Sequence, residues 1–506
     1  MARQMTQGDS NSRLTRYLGA LKGKAPSSAA AAYYASLDQV EAVSPNIAKA
    51  IAQELADQRS NIKLIASENY CSLPTQLAHG NLFTDKYAEG FAKHRFYAGC
   101  DNVDIVETEA CDLAKELFNA EHAYVQPHSG VDANFTALFA VLFARVRQPF
   151  VDKFGGKPLE LSREQWLQLN AEMNRQKIMG MDYFSGGHLT HGYRFNIISN
   201  MIDVYTYSVE RATMTLDYDV IWKQVKEVRP LILLAGYSAY SRKIDFAKMK
   251  QMAQDVGATL WVDMAHFAGL VAGGVFEGDY NPVAHADIVT TTTHKTLRGP
   301  RGGMVLCKKE LADWVDKGCP TNLGGPLSHA MAAKAVALRE ALRPEFKDYA
   351  KRIVENARGL AEEFITLGAN VLTGGTDNHM ILVEVSKKYG LTGRQAETAL
   401  RACGVTLNRN ALPFDENGPW YTSGLRIGAP AVTTLGMGRS EMKEIASIVH
   451  LVLSKSSAGA DASGKKSLAK VDTDPKAADE ARKRAKDLLA RFPLYPELDL
   501  EVMLNR

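Results

Sequence analysis

Lys295 stands in residues 286–303, where an apolar strand-like run ends in four threonines, the pair His294 and Lys295, and a glycine-rich turn. A lysine amine held there can add to a carbonyl compound and form a Schiff base. Asp263 belongs to a second stretch, residues 258–270, in which positions 259–262 read as a short buried parallel strand. Open α/β sheets place ligands at the carboxyl ends of their strands. An acid at one strand end and a lysine beyond the next would then face one crevice. Each residue also has an ordinary reading, the lysine as a solvated surface cation and the aspartate as a helix cap.

A third stretch, residues 123–135, reads as a short strand, a turn carrying Ser129 and Gly130, and a helix beginning near Asp132. Backbone N–H groups at a helix start plus a hydroxyl can cradle a phosphate, although the same pattern describes a plain N-cap. Pyridoxal phosphate uses all three parts. Joined to a lysine as a Schiff base, it needs a carboxylate against its pyridine nitrogen, because a protonated ring draws electrons from the substrate's α-carbon. Asp263 can hold that proton. Phosphate turn, then acid, then lysine resembles the chain order of the aspartate-aminotransferase-like, fold type I enzymes that use this cofactor.

Seven segments narrow the resemblance: LIASENY at 64–70, KYAEG at 86–90, GGHLTHG at 186–192, VDMAH at 262–266, TTTTHKT at 290–296, GGTDNH at 374–379 and SGLRIG at 423–428. In this order, across roughly residues 46–453, the chain resembles the serine hydroxymethyltransferase family. The resemblance implies an α/β fold, with a mostly parallel central sheet in a large domain and a smaller α+β C-terminal domain. It implies reversible transfer of the serine hydroxymethyl group to tetrahydrofolate, giving glycine and 5,10-methylenetetrahydrofolate in one-carbon metabolism. It also implies a homodimer with shared active sites, or a tetramer.

Residue roles follow from the same resemblance. Lys295 would carry pyridoxal phosphate, with Asp263 on the ring nitrogen, His188 stacked on the ring and His266 near the phenolic oxygen. Ser129, Gly130 and the backbone at Gly325 would hold the phosphate, Gly325 coming from the other subunit, and Ser238 would also bind the cofactor. Arg426 would grip the amino acid's carboxylate through two parallel bonds, assisted by Ser67 and Tyr97 and by Tyr87 of the neighbouring subunit. Its ordinary reading is a surface salt bridge. Glu89 would shuttle protons from an enclosed site that lifts its pKa. His294 and Thr292 would shape the Schiff-base region. For folate the resemblance points to Glu89, Tyr183, Gly187, His188, Leu189 and Asn410. Three places depart from the family pattern: Val131 where a second hydroxyl is usual, Tyr183 where leucine is typical, and a less glycine-rich 320–326.

Composition bounds these readings. The 506 residues suffice for two to four domains, and 46% hydrophobic content suits a globular core. A net charge of +3 argues against a dedicated nucleic-acid binder. Six cysteines without C-x-x-C spacing read as free thiols of a reducing compartment, the cytoplasm by default. No apolar run approaches the roughly 20 residues of a membrane span. Residues 1–24 carry five basic side chains against Asp9, a composition loosely like a transit peptide, and read as an arm or tail.

The elements that must position the site divide the chain as follows. Residues 1–60 form a tail and a dimer-embracing arm, with a small-residue linker at 26–32 and helical spacing of Val40, Val43, Ile47, Ile51 and Leu55 across 38–58. Residues 61–343 form the large cofactor-binding domain, with strands at 123–125, 230–235, 259–262, 288–290 and 303–307. An insertion spans 148–178, its Ser162 to Gln165 resembling a capping box. The small domain covers 344–454, with a helix over 345–368 and strands at 370–372 and 380–385. Residues 455–475, rich in Ser, Ala, Gly, Asp and Lys, predict a flexible linker, and 476–506 a charged helix and tail.

Other chemistries find less support. His188 and His191 stand three apart, but no cysteine or carboxylate completes a zinc pattern in sequence, so no metal is expected. Residues 19–24 have the wrong spacing for a nucleotide P-loop. Another pyridoxal-phosphate reaction at an amino acid's α-carbon, such as aldol cleavage or racemisation, stays open and is told apart by folate dependence. A catalytically silent dimeric binding protein is disfavoured by Lys295, Asp263, Glu89 and Arg426 together.

Overall fold

Seven strands build the main sheet of the computed structural model, which describes residues 12–460 and 464–504. They are β1 (His122–Tyr124), β2 (Lys177–Met181), β3 (Asp203–Tyr207), β4 (Ile232–Gly236), β5 (Thr259–Asp263), β6 (Ile288–Thr292) and β7 (Gly303–Cys307). Their spatial order is β1-β7-β6-β5-β4-β2-β3. Only β7 runs antiparallel to its neighbours. The fold is therefore α/β with a mostly parallel sheet, as the sequence reading expects. β4, β5 and β6 are buried along their whole length, which is why they read as near-continuous apolar runs. β2 and β3 were not legible. β3 is an edge strand, and its mixed exposure dilutes the apolar pattern.

A second core forms around four antiparallel strands, β8 (Asn370–Val371), β9 (Met380–Glu384), β10 (Asn408–Asn410) and β11 (Gly424–Gly428), in the order β8-β9-β11-β10. The helix Pro344–Thr366 opens with proline, whose missing N–H costs nothing at a first turn, and lays its buried face on this sheet. Ile62 and Leu64 belong to the same core, because residues 62–63 pair in parallel with 405–406. The chain thus reaches the second core before it enters the first.

Several expectations are corrected. The small-residue stretch 26–32 is not a linker, since a helix, Ser28–Val43, starts inside it with Ser27 as its cap. The spacing across 38–58 spans two helices. Ser44 leaves helical geometry and Pro45 begins Pro45–Ser60, as expected for a residue ahead of proline. The end of the 148–178 segment is already strand β2, and the helix Arg163–Asn174 does open with the Ser162 and Gln165 capping box.

Residues 455–475 hold a hairpin, β12 (Ser456–Ala460) paired with β13 (Lys466–Thr473), instead of a flexible linker. Its support comes from the helix Gly393–Ala402: Gln395 donates to the carbonyls of Ser467 and Lys470, and Thr392 to that of Leu468. The helix Pro475–Ala490 follows. In the amino-terminal segment, the basic stretch begins outside the described residues, and Arg13 is buried against Asp38, Glu41 and the carbonyl of Met503. No helix among the described residues is long and apolar enough to cross a membrane.

Candidate active site

Asp263 is the buried last residue of β5. Its Oδ1 accepts from the Ala265 N–H at 3.0 Å, and its Oδ2 from Asn134 Nδ2 at 3.0 Å and His191 Nε2 at 3.2 Å. Burial alone would raise its pKa. The His191 bond, the two imidazoles and Asn134 outweigh that and hold the carboxyl well below the usual carboxylate range. It is an anion.

Two histidine tautomers follow from the bonding. The His188 backbone N–H donates to His191 Nδ1 at 3.3 Å, so the His191 proton sits on Nε2, facing Asp263. Asn134 sends its amide also to Thr190 Oγ1 at 2.8 Å. The Thr190 hydroxyl and backbone N–H then meet His188 Nδ1 at 2.8 and 3.3 Å. His188 therefore accepts on Nδ1 and carries its proton on Nε2. Burial lowers its pKa to about 4, which keeps the ring neutral at physiological pH.

Lys295, three residues past β6, is half-buried, and its carbonyl accepts from Asn69 Nδ2 at 2.9 Å. Loss of water lowers its pKa to about 8; the Asp263 charge opposes that shift, and Arg426 and Arg301 add to it. The Asp263 charge thus reaches the Lys295 amine. His266 Nδ1 lies 3.2 Å from His379 Nε2, and burial lowers both pKa values, that of His379 to about 3. His294 accepts from the Gly302 N–H at 3.4 Å and is lowered by burial to about 3. Both regions present neutral imidazoles. Thr292 donates to the Ala265 carbonyl at 3.3 Å.

The helix near Asp132 begins at Gly130 and runs to Leu142, with Ser129 as its cap. Ser129 Oγ accepts from the Asp132 N–H at 3.3 Å and donates to Asp132 Oδ2 at 2.9 Å. A Cβ on Gly130 would come within 2.7 Å of Thr292 Cγ2, so only glycine lets the turn lie this close to β6. The turn and the end of β6 form one wall.

Arg426, in β11, donates through Nε to Asn408 Oδ1 at 3.1 Å and through Nη1 to the Ser238 carbonyl at 2.6 Å. Burial lowers its pKa to about 10, and it remains a cation. Ser67 lies in the loop whose Ala66 packs against Gly428, two residues from Arg426. Arg426, Ser238, Tyr183, Gly187 and Asn410 line one cavity of about 410 Å³. Leu189 stands outside it, 42% exposed on a short 3-10 turn. A larger cavity of about 860 Å³, lined by Arg211, Glu384 and Phe414 among others, includes none of the expected site residues.

The remaining expected residues form a separate group. The rings of Tyr87 and Tyr97 meet edge-on at 4.9 Å, and a Cβ on Gly325 would lie 3.1 Å from the Tyr87 ring. Glu89 is half-buried beside them, and its charge is the main cause of the raised Tyr87 pKa. The charges acting on Lys295 come from Asp263, Arg426 and Arg301; those acting on Tyr87 come from Glu89, Tyr97 and Cys319. Tyr97 stands beside Tyr87, one of the two residues with which the sequence reading grouped it.

Sequence reasoning missed Asn134, His191, His379, Asn69 and Asn408 as partners of the expected residues. The spacing of His188 and His191 was visible, but its meaning was not. The fold also brings Asp263 to that pair, with ligand atoms of all three within 4.8 Å of one another. The premise that no carboxylate joins these histidines is thus corrected; here Asp263 is engaged by His191 and Asn134.

Comparison with known proteins gives a single outcome. The family model described as serine hydroxymethyltransferase matches residues 40–148 and 169–449. A serine hydroxymethyltransferase of Treponema pallidum is 56% identical over 490 residues, covering 97% of this chain and 85% of the relative. One of Salinispora tropica is 54% identical over 470 residues, covering 93% and 98%. One of Chlamydia muridarum is 52% identical over 496 residues, covering 97% and 100%.

Proposed function

Because the chain belongs to the serine hydroxymethyltransferase family, we infer that it transfers the serine hydroxymethyl group reversibly to tetrahydrofolate, giving glycine and 5,10-methylenetetrahydrofolate. Pyridoxal phosphate, carried on Lys295, supplies the electron-withdrawing ring that this chemistry at the α-carbon requires. The residues present fit it: a buried anion, an amine of lowered pKa, and a helix start. His128 Nε2, in the turn before that helix, is buried without a hydrogen-bond partner, as suits a polar atom that a ligand satisfies.

Asp263 would hold a proton on the bound ring's nitrogen, and the neutral His188 would supply a flat, uncharged surface for the ring. The two bonds on Arg426 fix its guanidinium plane, leaving its other N–H groups to take the amino acid's carboxylate, with Ser67 alongside. Tyr183, Gly187 and Asn410 form the folate wall. Glu89 moves protons between the serine hydroxyl and the folate nitrogens. Tyr87, Glu89, Tyr97 and Gly325 are supplied by a second copy in a homodimer, which alone or paired into a tetramer makes the complete site. The six free thiols favour a reducing compartment, and we place the protein in the cytoplasm.

The observation that carries this reading is the buried Asp263 anion acting on a half-buried Lys295 of lowered pKa. Serine cleavage measured with and without tetrahydrofolate tests it. Turnover is expected to depend on folate. Equal rates in both arms would point to a folate-independent cleavage of amino acids instead.

A further inference from the structure

Lys334 is buried in the helix Ser328–Ala341, 2% exposed, where a lysine is costly to place. Its ammonium donates to three backbone carbonyls: Val125 at 2.6 Å, Pro127 at 2.9 Å and Gly303 at 2.9 Å. An ammonium has three N–H groups, so this set exhausts it. Val125 follows β1, Pro127 lies in the turn before Ser129, and Gly303 opens β7, whose N–H also returns to the Pro127 carbonyl at 2.9 Å. One cation therefore ties the turn to the sheet. The backbone leaves it no slack: a Cβ on Gly302 would lie 2.4 Å from Lys334 Cε and 2.9 Å from Nζ.

We propose that Lys334 is a positioning residue for the cofactor's phosphate, holding the turn before Ser129 in its anion-binding shape. The inference rests on reading Ser129 and Gly130 as the phosphate site. The peptide unit is planar and trans, so drawing the Pro127 carbonyl onto Lys334 turns the His128 N–H the opposite way. Anchoring the Val125 carbonyl does the same for the Gln126 N–H. A helix start adds its own N–H groups at Gly130. A charge adds to this only where the amine is protonated: burial lowers its pKa to about 7, whereas the three carbonyls it meets call for all three ammonium N–H groups. A structural core lysine would hold the turn without favouring phosphate over any other group.

Titration of the apoprotein with pyridoxal phosphate and with pyridoxal, which lacks only the phosphate, separates these roles. Lys334→Met removes three donors and the charge while keeping the chain length. Its affinity for pyridoxal phosphate is expected to fall by about tenfold or more, with that for pyridoxal changing by less than about twofold. Equal losses for both ligands, or none for either, would overturn the proposal. Gly302→Ala serves if Lys334→Met does not fold, because it pushes the ammonium off its carbonyls; the same phosphate-selective loss is expected, and an unselective one counts against. Ser129→Ala tests the underlying reading. A selective loss there with none in Lys334→Met sinks this inference alone, and no loss in either variant sinks the phosphate assignment.

Discussion

Asn134 sends one amide N–H to Asp263 and the other to Thr190, and through Thr190 it decides which His188 nitrogen is protonated. The acid that must hold the cofactor's ring proton and the imidazole that must lie neutral against its face are thus set by one side chain. If Asp263 supplies that proton contact, Asp263→Asn keeps the shape but cannot stabilise a protonated ring. Turnover is then expected to fall on the order of a hundredfold or more, with the fold intact by circular dichroism. Retained activity would show that the electron sink lies elsewhere. Lys295 yields a pH prediction. Its amine has a pKa of about 8, below the ordinary 10.5, so it is cationic below pH 8 and neutral above. Covalent capture of pyridoxal phosphate by the apoprotein needs the neutral amine. Its rate should climb about tenfold per pH unit below 8 and level off above it. Asp263 favours the charged lysine, so Asp263→Asn should move the midpoint lower.

Elements formed where their own residues could close the hydrogen bonds, and departed from expectation where a distant element closed them. β5, β6 and β7 were legible because fully buried strands read as continuous apolar runs between turn signals. The hairpin of β12 and β13 was not, because its Ser, Ala, Gly and Lys composition buries little apolar area. Gln395 accounts for the difference. Its Oε1 accepts from the Thr392 N–H in a capping box, and its Nε2 donates to two hairpin carbonyls at 2.7 and 2.9 Å. Gln395→Glu keeps the capping acceptor and loses both donors. Amide hydrogen exchange across Lys466–Thr473 should then quicken by about tenfold, the effect of losing roughly 1.4 kcal/mol. Unchanged exchange would mean that the hairpin stands by its own pairing.

At the scale of the whole molecule, the expected site residues fall into two groups, one around Lys295 and one around Tyr87, and the proposed dimer joins one copy's first group to the other's second. Hybrids test this. Lys295→Ala and Glu89→Gln chains are each expected to be nearly inactive alone. Refolded together, half of the dimers carry one intact site, so about a quarter of wild-type activity should return. No recovery would place both groups in one chain's site. Through short runs of apolar, glycine and reactive residues, the sequence by itself determined the order of phosphate turn, acid and lysine, the α/β class and the family's chemistry, because these depend on neighbours along the chain. Tertiary structure alone decided the protonation of His188 and His191, the bonds that fix Arg426, the role of Lys334 and the company Tyr97 keeps. Even where the partners stand near in sequence, as Thr190 and His191 do to His188, the folded geometry sets which atoms meet, and at Lys334 and Arg426 the partners come from distant segments that no local pattern names.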